Sequence, residues 1–172
     1  MKNIAFSVSI FKYKVQNWNV KKKQLLDLFH EFPHRVVGNV ITSPKNIHTD
    51  LLNDEIKLFE KEVGINLYTN STTGVWFQRY DQNMDHSVHD HGKGGFSAVC
   101  FVEYDNNYHS PTTFISPFLD QDGKRIKYHP DVEEGDIIFF PSNLSHYAPI
   151  NPTNKTRIVL SLNLKIQKFV YK

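Results

Sequence analysis

From about Thr73 onward, apolar and aromatic residues gather in short runs, at 75–80, 96–104, 112–117, 137–140 and 157–164, set apart by Asn, Asp, Gly and Pro. Runs of this length, rich in β-branched and aromatic residues and bounded by turn formers, predict strands. With no helical pattern between them they predict a jelly roll or another closed antiparallel barrel. The chain before Thr73 has a different rhythm. Residues 6–15 alternate as a strand would, with Phe6, Val8, Ile10 and Tyr13 among the strand formers. Leu25, Leu26, Leu28, Phe29 and Phe32 fall on one stripe and predict a helix from about Lys21 to Phe32, stopped by Pro33. Residues 36–42 suit a second strand. Leu51, Leu52, Ile56, Phe59 and Val63 recur at helical spacing, which predicts a second helix capped by Thr49 or Asp50 and ended by Gly64. The expected fold is mainly β with N-terminal helices packed on the outside of one sheet. Residues 1–172 then form a single domain in which 1–72 support a β core at 73–172.

Three histidines stand out against that scaffold. His89 and His91 flank Asp90, and alternation along a strand turns the two imidazoles one way and the carboxylate the other. His146 lies far downstream, after the glycine-led strand that ends at Pro141. Neutral imidazoles from adjacent strands can occupy one face of a metal and leave the other open. The chain has nine histidines, so a single His-x-His is weak by itself; the glycines that follow and the distal His146 make the set more specific. His86 reads as a loop residue, as do His109 and His129. In the last run Arg157, Val159, Ser161 and Asn163 share one face, and Ile158, Leu160, Leu162 and Leu164 the other. An arginine lining a barrel lumen needs an anionic partner. No carboxylate on that strand can serve, which points to a ligand carboxylate gripped by Arg157 with Ser161 donating beside it.

Charge adds exclusions. The formal net charge is +2, and the one tight basic run, Lys21-Lys22-Lys23, sits at a helix start, so neither a nucleic-acid nor a membrane partner is expected. No window approaches a membrane span and no export signal follows Met1, so a cytoplasmic location is expected. The single cysteine, Cys100, lies in an apolar run and reads as a small buried hydrophobe. Asp120-Gln121-Asp122-Gly123 reads as a hairpin turn.

Taken together, His89-Asp90-His91, Gly95-Phe96-Ser97-Ala98-Val99, Glu134-Gly135-Asp136, Phe140-Pro141-Ser142, His146, Arg157 and Ser161-Leu162-Asn163 resemble the iron(II)- and 2-oxoglutarate-dependent oxygenases, most closely the small members common in phages and marine bacteria. The resemblance implies a double-stranded β-helix of cupin-like jelly-roll type. It implies a dioxygenase, an oxidoreductase that uses Fe(II), 2-oxoglutarate and molecular oxygen to hydroxylate a peptide side chain or small metabolite, releasing succinate and carbon dioxide. It implies His89, His91 and His146 as metal ligands, and Arg157, Ser161 and Asn163 as cosubstrate residues. His91 stands where the wider superfamily has a carboxylate, and Val159 stands where an Arg-x-Ser pattern would have its serine. Two other readings compete: a cupin-like metalloprotein that does not use 2-oxoglutarate, and a non-enzymatic jelly-roll binding module.

Overall fold

The computed structural model describes residues 7–31, 40–42, 47–69 and 74–169. In chain order its elements are β1 (Phe11–Lys14), α1 (Trp18–Glu31), β2 (Val40–Thr42), α2 (Ile47–Val63), β3 (Ile65–Thr69), β4 (Val75–Tyr80), β5 (His86–His89), β6 (Gly95–Glu103), β7 (Thr113–Leu119), β8 (Arg125–Tyr128), β9 (Asp136–Pro141), β10 (His146–Ala148) and β11 (Arg157–Phe169). The long β11 contains neither glycine nor proline, so nothing interrupts its ladder. It orders the larger sheet, β1-β9-β6-β11-β4-β2, and β3 pairs with the C-terminal part of β11, from Leu164 to Phe169. A second sheet runs β5-β10-β7-β8. The pairings recorded within both sheets are antiparallel. Facing sheets of this kind make the jelly roll expected from the strand spacing.

Alternation along β11 divides the interior in two. Ile158, Leu160, Leu162 and Leu164 are buried on the side that meets Leu25 and Phe29 of α1 and Leu52, Ile56 and Phe59 of α2. The helices therefore cover one sheet from outside. Val159, on the opposite side, joins Tyr80, Val99, Phe101, Phe114, Ile138 and Phe140 in the lumen between the sheets. Cys100 is buried on the helix side, and burial pushes its thiol up, so it is a packed hydrophobe as expected.

The Glu134-Gly135-Asp136 segment clasps the N-terminal support to the barrel. Glu134 accepts hydrogen bonds from Trp18 Nε1 at 3.3 Å and Lys22 Nζ at 2.8 Å. Asp136 pairs with Lys14 at 3.0 Å and accepts the Glu133 N–H at 2.8 Å. Gly135 itself has φ 81, and a Cβ there would lie 2.8 Å from the Trp18 ring. Gly135→Ala is therefore expected to cost about 2–4 kcal/mol, from the left-handed backbone and the displaced indole. The check is urea unfolding, with a lowered midpoint at unchanged slope.

Several boundaries differ from the sequence pattern. β1 spans only Phe11–Lys14, the stretch that faces β9, and residues 7–10 lie outside it. Helix α1 begins at Trp18, ahead of the expected Lys21, because the Asn17 carbonyl accepts the Val20 and Lys21 N–H groups from a residue at φ 54. Helix α2 begins at Ile47, which puts Asp50 in its first turn, where the helix dipole favours a carboxylate. Gly64, at φ 74, ends it as expected. Phe6, Phe32, Pro33 and residues 36–39 lie outside the described residues. Strands β3, β8 and β10 were not legible as strands: β8 is exposed throughout and β10 is short. The strand expected at His89 is β5, which ends there and leaves His91 outside it. Asp120–Gly123 forms the β7–β8 hairpin turn, Asp120 Oδ1 accepting the Asp122 and Lys124 N–H groups at 2.9 and 2.7 Å. Among the described residues no helix is long and apolar enough to cross a membrane.

Candidate metal centre

The second sheet builds the site by register. His146 of β10 lies directly opposite His89 of β5, and cross-strand partners share a face. Their rings come to 4.4 Å between centroids. His91 arrives by another route. Strand β5 stops at His89, and the chain turns into a glycine loop in which Asp90 Oδ1 accepts the Gly92 N–H at 2.9 Å. The His91 N–H donates to the Ser142 carbonyl at 2.8 Å. That contact brings the His91 ring to 5.1 Å from both His89 and His146. The two histidines of the motif thus converge through a loop pinned at His91, not through the pleat of one strand, while Asp90 is spent on the turn.

One ligand atom from each of His89, His91 and His146 can be chosen so that all three lie within 4.8 Å of one another. Donors on one face of a six-coordinate ion with bonds of about 2.1 Å sit about 3 Å apart, so small side-chain rotations close the set. The tautomers favour it as well. His89 Nδ1 lies 2.7 Å from the Ser87 carbonyl and His146 Nδ1 lies 2.8 Å from the Leu144 carbonyl. A carbonyl only accepts, so each Nδ1 carries the proton and each Nε2 presents a lone pair. Burial, with the neighbouring imidazoles adding to it, pushes His91 down to about 4, and burial does the same for His146. Both rings are neutral at neutral pH, as ligation requires. The donor set fits a divalent first-row ion with an open face.

Further along the lumen lies Arg157, only 2% exposed. Its Nη1 and Nη2 donate to the carbonyls of Ser110 and Pro149, its guanidinium lies 4.3 Å over the Tyr80 ring, and its buried Nε has no partner. Burial lowers its pKa while the Tyr80 and Tyr104 phenols raise it, but a guanidinium stays charged. No carboxylate among the described residues pairs with it. A buried cation with an orphaned donor and no acid is a receptor for an anion.

Between arginine and histidines, facing β4 and β11 residues continue one face: Tyr80 opposite Arg157, Gln78 opposite Val159, Trp76 opposite Ser161. Ser161 Oγ donates to Gln78 Oε1 at 3.3 Å, and Gln78 Nε2 donates to His86 Nδ1 at 2.8 Å. His86 in turn stacks on His89 at 4.1 Å. Sequence alone had set His86 aside as a loop residue and passed over Gln78. The alternation Trp76, Gln78, Tyr80 beside the polar face of β11 was the available signal. These side chains enclose about 20 Å³, room for about one water. Asn163 lies beyond them: its Oδ1 accepts the Ser97 hydroxyl at 2.9 Å, and it lines a separate pocket with His91. A larger groove of 460 Å³, between residues 7–10 and β7–β8, holds no histidine, cysteine or carboxylate in its lining, so the donor set and not the size of the opening marks the site. His109 is a structural histidine whose Nδ1 accepts the Asp105 N–H and whose Nε2 donates to the Lys155 carbonyl, both at 3.1 Å.

Comparison with known proteins gives a family and a fold. A family model described as "Putative 2OG-Fe(II) oxygenase" matches residues 74–163, just over half of the chain. No curated protein sequence matches. Among solved structures, the chain is similar to a Pseudomonas putida prolyl-4-hydroxylase, with a TM-score of 0.61 at 12% identity over 94% of this chain and 90% of that one. The viral collagen prolyl hydroxylase of Paramecium bursaria Chlorella virus-1 superposes with a TM-score of 0.63 at 12% identity over 98% and 99%. HygX of Streptomyces hygroscopicus, solved with nickel, 2-oxoglutarate and hygromycin B bound, superposes with a TM-score of 0.67 at 7% identity over 96% and 86%. At such identities these likenesses speak for the fold.

Proposed function

The chain belongs to the 2OG-Fe(II) oxygenase family, and on that premise we propose that His89, His91 and His146 hold the iron, that Arg157 and Ser161 hold 2-oxoglutarate, and that the reaction is hydroxylation. An enzyme of this family uses Fe(II), 2-oxoglutarate and oxygen, which leaves no room for a purely structural module. The observation that carries the residue assignment is the convergence of three imidazoles in a lumen that also contains a buried arginine with no acidic partner among the described residues.

When bound, the iron supplies the oxygen activation and electron transfer that no protein side chain can. The protein's part is placement. His89 and His146 direct Nε2 lone pairs inward because the Ser87 and Leu144 carbonyls hold their other nitrogens. Arg157 offers Nε to the distal carboxylate of 2-oxoglutarate, with Tyr80 beneath its guanidinium. Ser161 adds a hydroxyl once it leaves Gln78. The cavity beside Gln78 holds about one water, so Gln78 and its neighbours would have to shift aside to admit 2-oxoglutarate, and the filled lumen would exclude water from the reacting centre. The balance is one C–H bond, one dioxygen and one 2-oxoglutarate consumed for one C–OH, one succinate and one carbon dioxide. One oxygen atom goes to the product and one to succinate.

With only imidazole ligands, the protein brings no negative charge to the metal, so the dianionic cosubstrate supplies the first. A cytoplasmic setting and a peptide or small-molecule substrate belong to the same proposal. The test is slow turnover without substrate: protein reconstituted with Fe(II) and supplied with 2-oxoglutarate and oxygen is expected to release succinate. Release at the rate of free Fe(II) in buffer counts against the assignment.

A further inference from the structure

His91 borders a second pocket. It measures about 100 Å³, which is room for a carboxylate or phosphate group with several waters. Its lining includes Lys93, Gly94, Gly95, Ser142, Asn163 and Lys165, and no acidic residue. Neither Lys93 nor Lys165 has an acidic partner among the described residues. The nearby Asp90 carboxylate is turned onto the Gly92 N–H.

The neutral groups give the pocket the same polarity. Ser97 Oγ lies 2.9 Å from Asn163 Oδ1 and 3.1 Å from Ser142 Oγ. Asn163 Oδ1 only accepts, so the single Ser97 proton goes there and Ser142 donates to Ser97. The chain of hydroxyls therefore ends on the Asn163 amide oxygen, which leaves the amide NH₂ of this pocket-lining residue free to donate. The loop that carries Lys93 is fixed by glycines with φ 79 at Gly92 and φ 86 at Gly94, and Gly95 packs against the Leu164 backbone so closely that a Cβ would not fit. Two ammonium groups and an amide NH₂ beside a metal ligand make a receptor for negative charge.

We propose that this pocket receives an anionic group of the substrate, a carboxylate or phosphate, so that the C–H bond oxidised at the metal belongs to an acidic molecule. The proposal rests on the oxygenase reading, and it moves Asn163 from the cosubstrate to the substrate side of His91. Lys93 and Lys165 would then select substrates by charge.

The experiment titrates the full chain, kept metal-free and with no other carboxylate present, with inorganic phosphate in one arm and sodium acetate in the other. Amide NMR follows Gly92, Gly94 and the Asn163 side-chain NH₂. Saturable shifts at these positions are expected at millimolar anion, weakening as ionic strength rises. The arm that saturates at the lower concentration names the anionic group. A Lys93→Gln/Lys165→Gln double variant is expected to need about tenfold more anion. No saturable shift by ~100 mM overturns the proposal. Equal shifts in the double variant also overturn it, as they show an adventitious ion only. Since no metal is present, this failure is distinct from that of the oxygenase assignment, which substrate-free succinate release tests separately.

Discussion

Replacing Arg157 with methionine is expected to raise the 2-oxoglutarate concentration for half-saturation about a hundredfold while leaving metal affinity within a few-fold of the parent. The side chain is 2% exposed and pairs with no carboxylate among the described residues, so its charge awaits a counterion that a ligand can bring. Charge-assisted bonds to a carboxylate in such surroundings are worth about 2–5 kcal/mol when one partner is removed, and a hundredfold corresponds to about 2.8 kcal/mol. The same substitution strips donors from the Ser110 and Pro149 carbonyls, at about 1–3 kcal/mol of stability each if they stay dry. Arg157→Lys separates the two effects. It keeps the charge but not the planar fork, so it should recover part of the cosubstrate affinity. Calorimetric titration of 2-oxoglutarate into the Fe(II)-loaded protein without oxygen reads both variants. Unchanged affinity in Arg157→Met would move the distal carboxylate elsewhere.

His146→Ala has the second large effect, and it falls on the metal. This imidazole is the most buried of the three, 4.8 Å from the Phe140 ring and 6.0 Å from Phe114 between centroids. Truncation leaves a cavity expected to cost about 2–4 kcal/mol in metal-free protein. Its diagnostic consequence is different. A metal that binds only the folded state stabilises it by about 2.7 kcal/mol at a hundred times its dissociation constant. Thermal unfolding should therefore show a clear upward shift with Fe(II) or Ni(II) for the parent and almost none for His146→Ala. Equal shifts in both would exclude His146 from the ligand set.

Legibility followed physical scale. The division of β11 into an apolar and a polar face was readable from Arg157 to Leu164, because alternation is imposed by backbone geometry alone, and it correctly sent Leu160 to the helices and Arg157 to the lumen. The convergence of His89, His91 and His146 was readable as a set, though not its cause. The pattern placed His89 and His91 on one strand, whereas a long-range bond from the His91 N–H to the Ser142 carbonyl shapes the loop. Strands such as β8 and β10 are defined by their partners, and their own residues carry no periodic signal. Gln78 was missed and His86 was read as a loop residue because their roles depend on a hydrogen-bond chain across β4, β5 and β11. Glu134-Gly135-Asp136 was visible as a motif, but its work as a clasp for Trp18, Lys22 and Lys14 needed the tertiary contacts.

The central claim is that one divalent ion is held jointly by His89, His91 and His146 and chelated there by 2-oxoglutarate. Its most direct test is the visible spectrum of the protein after anaerobic addition of Fe(II) and then 2-oxoglutarate. The account predicts a weak charge-transfer band that appears only with both additions and disappears in each of His89→Ala, His91→Ala and His146→Ala. A parent protein without the band, or a band that survives all three substitutions, would contradict it.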